Sequence, residues 1–136
     1  MLRSEVREEI FKILFRYPFV EEGEMDEQIA LSLEELEAKS ESNRQYIKNK
    51  VIAILENRSQ IDETISNNCE GWNIERIGKA ELAIMRIAVY EMLLEEEIVE
   101  RVAINEAVEL TKRYCDEEAK GFVNAILGKI AKNMES

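Results

Sequence analysis

Residues 79–94 read "KAELAIMRIAVYEMLL", and the spacing of their apolar side chains decides the fold class. Ala80, Ile84, Ile87 and Ala88 recur three and four positions apart and form a stripe that Leu94 continues. That is the period of an α-helix, in which such positions share a face. Leu82, Met85, Val89 and Met92 widen the apolar face well beyond a stripe. A helix this apolar on several sides predicts a central position with helical neighbours around it.

The flanking segments repeat the helical period. Residues 101–115, "RVAINEAVELTKRYC", predict a helix from about 102 to 114, and "EEAKGFVNAILGKI" (117–130) begins the last one. On the N-terminal side, "SNNCEGWN" (66–73) interrupts the pattern and marks a boundary between halves at about 1–68 and 73–136. Asn73 is placed to cap a short helical turn carrying Ile74 and Ile77. Before the boundary, Ile47, Val51, Ile54, Leu55, Ile61 and Ile65 predict one long helix over about 41–67, unbroken at Asn57 and Ser59. Ile29, Leu33 and Leu36 line a second helix ending near "AKSES" (38–42), after the acidic connection "FVEEGEMDE" (19–27). Val6, Ile10, Ile13 and Leu14 mark a first helix with Ser4 as its N-cap. It should stop before Tyr17-Pro18, because the residue ahead of a proline avoids the helical region. With five glycines, one proline and no period-2 runs, the chain is read as all-α, six or seven helices in two packed halves.

Composition narrows the chemistry. There is no histidine, which removes Ser-His and Cys-His nucleophile pairs. Cys69 and Cys115 stand far apart and outside any CxxC pair, so they are read as reduced thiols and not as metal ligands. Carboxylate runs such as Glu95-Glu96-Glu97 read as solvated surface. The expectation is a protein that is not an enzyme and uses no metal and no cofactor. No apolar run suits a bilayer, and the charged start "MLRSEVREEIFKILF" does not suit a signal peptide, which points to the cytoplasm. The net charge of −11 opposes polyanions. Yet residues 1–16 are slightly net positive, in contrast to the strongly acidic 21–41.

On the last helix Val123, Ile126, Leu127 and Ile130 cluster on one face. At about 100° per residue, Phe122 falls roughly a right angle from the centre of that stripe, and Asn124 falls on its other flank. Phe122 therefore has two readings: an aromatic sealing the edge of the core, or a flat face offered to a nucleobase. In the second, Lys120 supplies a phosphate contact and Glu118 an acceptor.

Three stretches taken together, "AELAIMRIAVYEML", "VAINEAVELTKRY" and "KGFVNAILGKI", in this order and spacing, resemble the NusB family of transcription antitermination proteins. The likeness runs from about Gly78 to Lys129 and extends more loosely to "REEIFKILF". It implies two three-helix bundles with a short extra helix, in keeping with the helix count above. It further implies a non-enzymatic factor that binds a boxA-type single-stranded RNA jointly with NusE, a small-subunit ribosomal protein. That assembly belongs to the RNA polymerase antitermination complex acting in ribosomal RNA synthesis.

By the same resemblance, RNA contacts fall on the N-terminal basic segment, here Arg3 and Arg7, and on the start of the last helix. There Phe122 of the "FVN" motif, Glu118 four positions earlier, Lys120 and Asn124 are the candidates. Glu118 stands where aspartate is common, and Gly121 where a basic residue is common. Arg3 and Arg7 lie one turn apart on one face, with Lys12 and Arg16 roughly opposite, a thin basic segment for the family. The resemblance places NusE contacts on the first helix and the start of the apolar helix, at Phe15, Glu75 and Glu81. Arg86 and Glu106 are expected to form an internal pair.

Two other readings stay open at this point. One is a protein-only helical adaptor that has lost RNA recognition, which the thin basic segment and the net charge favour. The other is an RNA-binding domain detached from a ribosomal RNA methyltransferase, which requires a product longer than a chain ending at Ser136. Monomer and homodimer are equally compatible with the sequence.

Overall fold

The first helix, α1 (Arg3–Arg16), buries Val6, Ile10, Phe11, Ile13 and Leu14 in the computed structural model, which describes residues 2–21, 23–36, 41–69 and 73–135. It begins earlier than Ser4 predicted. Leu2 is the N-cap, and the Glu5 carboxylate accepts the Leu2 backbone N–H at 2.8 Å. A glutamate in the first turn thus reaches back to a donor that the helix leaves unpaired. The helix stops at Arg16, and a 3₁₀ turn over Tyr17–Phe19 carries Pro18. Gly23 then takes φ 94, a left-handed value that favours glycine, and α2 (Met25–Glu34) follows.

Ile29 and Leu33 of α2 are buried, and so is Leu36 just past its end. The expected end of this helix near "AKSES" falls partly on residues 37–40, outside the described residues. The third helix, α3 (Glu41–Glu56), buries Ile47, Val51 and Ile54. α1 packs on both α2 and α3, and these elements form the first of two compact units, Met1–Glu56.

The long helix expected over 41–67 is two helices. Asn57 leaves helical geometry (φ −99, ψ 13), and its carbonyl accepts the Ile61 N–H at 3.0 Å at the head of α4 (Arg58–Asn67). Asparagine suits a cap better than a helix interior, because its short amide competes with the backbone for hydrogen bonds. Ile61 and Ile65 stay buried, but α4 packs against α5 and α7, in the second unit, Asn57–Ser136. The division therefore falls at 56/57, ahead of the position that "SNNCEGWN" suggested. Residues 70–72 of that stretch lie outside the described residues.

In the second unit, Asn73 caps a 3₁₀ turn over Ile74–Arg76, its side chain accepting the Glu75 N–H at 3.0 Å. Helices α5 (Lys79–Leu94), α6 (Glu100–Tyr114) and α7 (Glu117–Met134) follow. α5 is the hub, packing on α4, α6 and α7, as its broad apolar face predicted. Leu94 departs from that prediction: it is the last helical residue and 41% exposed, because Glu95 turns the chain out of the helix. Arg86 also differs from expectation. Its Nε and Nη2 donate to the two carboxylate oxygens of Asp62 on α4, both at 2.8 Å, where Glu106 was the expected partner. The two planar groups match as a fork and tie α5 to α4.

Among the described residues the chain is helical without strands, and no helix is long and apolar enough to cross a membrane.

Candidate nucleic-acid interface

The start of α7 is fixed by a cap and a stripe. Asp116 is the N-cap, its Oδ1 accepting the Ala119 N–H at 3.1 Å. Glu117 and Glu118 then occupy the first turn, where negative charge suits the helix dipole. Val123, Ile126, Leu127 and Ile130 are all buried, and burying these four sets the rotation of the helix. Phe122 is consequently half-buried at the rim, with Glu118 exposed one turn before it, ~6 Å away along the axis at about 1.5 Å per residue. Asn124 is exposed on the other flank. Lys120 is half-exposed with Nζ 3.8 Å from Glu117, an exposed pair that holds the amine only weakly. At Gly121 an added Cβ would meet nothing within 4 Å.

Within the first unit, Arg3 is exposed and Arg7 is buried. Both line a cavity of about 300 Å³, together with Val6, Asn43, Tyr46 and Lys50. Lys50 is buried too; its Nζ donates to the Tyr46 hydroxyl at 3.1 Å and lies 5.3 Å from the centre of that ring. The other two cations of α1 are engaged elsewhere, Lys12 with Glu9 at 3.4 Å and Arg16 with the Ser32 hydroxyl. Asn43, Tyr46 and Lys50 escaped the sequence reading. The only signal was their spacing on α3 beside the Ile47–Val51–Ile54 stripe.

The expected protein-contact residues fall in two places. Phe15, on α1, is half-buried between Phe11 (centroids 5.8 Å apart, stacked) and Phe19 (5.5 Å, edge-on). Phe19 is 63% exposed, so an aromatic row runs from the core to the surface. In the second unit, Glu75 is exposed on the 3₁₀ turn, and Glu81 is half-buried in the first turn of α5. The Glu81 carboxylate folds back over Gly78, where an added Cβ would collide with it. One of its oxygens accepts the Cys115 Sγ–H at 3.2 Å. Burial, that hydrogen bond and the negative charges of Glu81 and Asp116 push the Cys115 thiol up to about 12. The buried Cys69 thiol is raised as well, chiefly by desolvation. Neither cysteine is in a disulfide, and no cluster of metal-binding side chains occurs among the described residues.

These features define a class: an all-helical binding protein with a rim aromatic between polar groups on one helix start and a cationic cavity in the other unit. The comparisons make it specific. The NusB family model matches residues 4–132. The transcription antitermination protein NusB of Agathobacter rectalis is 44% identical over 131 residues, covering 96% of this chain and 100% of its own. The solved structure of T. maritima NusB superposes with a TM-score of 0.89 at 33% identity, over 97% of this chain and 92% of that one. A solved complex of the antitermination factors NusB and NusE with double-stranded RNA gives a TM-score of 0.84 at 27% identity, over 98% and 99%. The chain belongs to the NusB family, a family of transcription antitermination factors without enzymatic activity.

Proposed function

We propose that this chain supports ribosomal RNA transcription by binding a boxA-type single-stranded RNA jointly with NusE, within an antitermination complex on RNA polymerase. The observation that carries the reading is the start of α7. There a half-buried phenylalanine, a carboxylate one turn before it, an amide and an amine sit on one capped helix. Sequence-selective recognition of RNA requires unstacked bases lying on aromatic faces with their edges hydrogen-bonded. Phe122 is the platform, Glu118 and Asn124 read base edges, and Lys120, Arg3 and Arg7 contact phosphates. Stacking requires an open base, so the strand recognised at Phe122 is single, although the related complex holds a duplex.

NusE contacts fall on Phe15, Glu75 and Glu81. Phe15 lies in an aromatic row that reaches the surface, and the two glutamates attract a basic partner. The action is placed in the cytoplasm, where transcription and a ribosomal protein meet.

A chemical-shift titration of the labelled protein tests the assignment. With boxA-like RNA, the amides around Glu118, Lys120, Phe122 and Asn124 and the Arg3 side chain shift together; a scrambled strand leaves them in place. Shifts elsewhere with the start of α7 silent would overturn it.

A further inference from the structure

Within the first unit, α2 and α3 leave a groove of about 560 Å³ between them, lined by none of the candidate RNA residues. Asp26 and Glu34 stand on its α2 side, two turns apart, and Arg44 and Lys48 on its α3 side, one turn apart. Ile29, Leu33 and Ile52, buried or half-buried, supply an apolar floor. One side of the groove is therefore negative and the other positive. Among the described residues no ion pair joins the two sides; Arg44 instead donates Nη1 to Glu41 of its own helix at 3.1 Å. Its Nε is shielded from solvent and meets no acceptor. A buried donor without a partner is unfavourable. In the second unit, Arg86 presents the same edge, Nε with Nη2, to the carboxylate of Asp62. A turn of the part-exposed Arg44 guanidinium offers that edge to the groove.

We infer that this groove docks a short amphipathic helix of a partner protein, with a carboxylate facing Arg44 and Lys48, an amine facing Asp26 and Glu34, and aliphatic side chains on the floor. Charge selects that occupant. The carboxylates of α2 repel a nucleic-acid strand or an acidic segment, and the cations of α3 repel a purely basic one. A helix with opposite charges on its two edges satisfies both sides at once and gives the Arg44 edge its acceptor, in the paired geometry that suits a carboxylate. Size agrees with this choice. From Asp26 to Glu34 the groove runs about 12 Å, a little over two helical turns, enough for apolar anchors three and four positions apart. Its volume falls within the roughly 300–1,000 Å³ of sites that enclose a ligand. The inference stands apart from the RNA-binding reading and adds a second surface to the chain.

The test is an NMR titration of the full chain with three stapled helical peptides that share one leucine seam. One carries glutamates on one edge and lysines on the other, the second lysines on both edges, the third glutamates on both. The mixed peptide should shift the methyl signals of Ile29, Leu33 and Ile52 and the Arg44 Nε signal. It should bind about fivefold more tightly than either uniform peptide, since each part-exposed ion pair contributes little alone. The double variant Arg44→Glu with Lys48→Glu, altered only at part-exposed or exposed positions, should transfer the preference to the all-lysine peptide. Three outcomes would overturn the inference: no shifts in the groove with any peptide, tightest binding of the all-lysine peptide to wild type, or an unchanged preference in the double variant. Displacement of the mixed peptide by a boxA-like RNA would assign the groove to nucleic acid. Groove shifts that grow with protein concentration alone would assign it to a second copy of the chain. Either result would also overturn the partner helix.

Discussion

Phe122 lies one position before the fully buried Val123 and is itself half-buried, so its ring serves the core with one part and faces outward with another. Replacing it by alanine should cost clearly less stability than the roughly 3–5 kcal/mol typical of a buried phenylalanine. Urea unfolding measures this, and a loss in that upper range would make Phe122 a core residue only. The pattern placed this ring at the edge of the stripe, but a half-buried aromatic looks the same in sequence whether or not something stacks on it.

Cys115 was legible only as a reduced thiol, because its partner Glu81 is thirty-four residues away and meets it through packing of α5 against α6 and α7. With the thiol raised to about 12 from 9.0, the protonated form is favoured in the folded state. Its contribution to stability is complete below about pH 9 and is lost as pH rises towards 12. Glu81→Gln removes one of the raising charges, so alkylation of Cys115 by iodoacetamide at pH 9 should accelerate. An unchanged rate would show that burial alone protects the thiol.

At the scale of single helices, α7 offers direct tests of what orders the interface. Asp116→Ala removes the cap and should cost about 1 kcal/mol. Gly128→Ala should add about 0.5–1 kcal/mol, since a helical glycine carries excess chain entropy and an added Cβ there meets nothing within 4 Å. Thermal or urea unfolding reads both, and a destabilised Gly128→Ala would contradict the open geometry at that position.

Helices with a broad or continuous stripe were readable from periodicity: α1, α5 and α7 lie close to where their apolar spacing put them. The break at Asn57 was not, because the isoleucines on either side continue one helical phase across it. Periodicity reports burial, and both α3 and α4 are buried on the expected side without being one helix. The Arg86–Asp62 fork escaped for a related reason. A charged residue inside an apolar helix announces an internal partner without saying which of several nearby helices provides it.

Taken whole, the chain carries a net charge of −11, and its candidate RNA residues are local exceptions to that field. Acidic stretches steer a basic protein towards the surface and oppose a bare polyanion. The association rate with NusE should accordingly fall as salt is raised, measurable by stopped-flow fluorescence, and a salt-independent rate would remove charge from the account of that encounter. RNA is expected to bind better once the partner has supplied positive charge. The family resemblance made this function readable in sequence, through the order of three helical motifs. The cationic cavity in the first unit was not, because the residues that form it are brought together by the packing of α1 on α3.

The central claim is that this chain reads single-stranded RNA through the start of α7 in company with NusE. The most direct measurement is fluorescence anisotropy of a labelled boxA-like RNA against a scrambled strand, with and without NusE, for wild type and Phe122→Ala. The account predicts sequence-selective binding that NusE strengthens and that the substitution weakens by about 1–3 kcal/mol. Tight binding of NusE with no preference between the two strands, and no effect of Phe122→Ala, would contradict it.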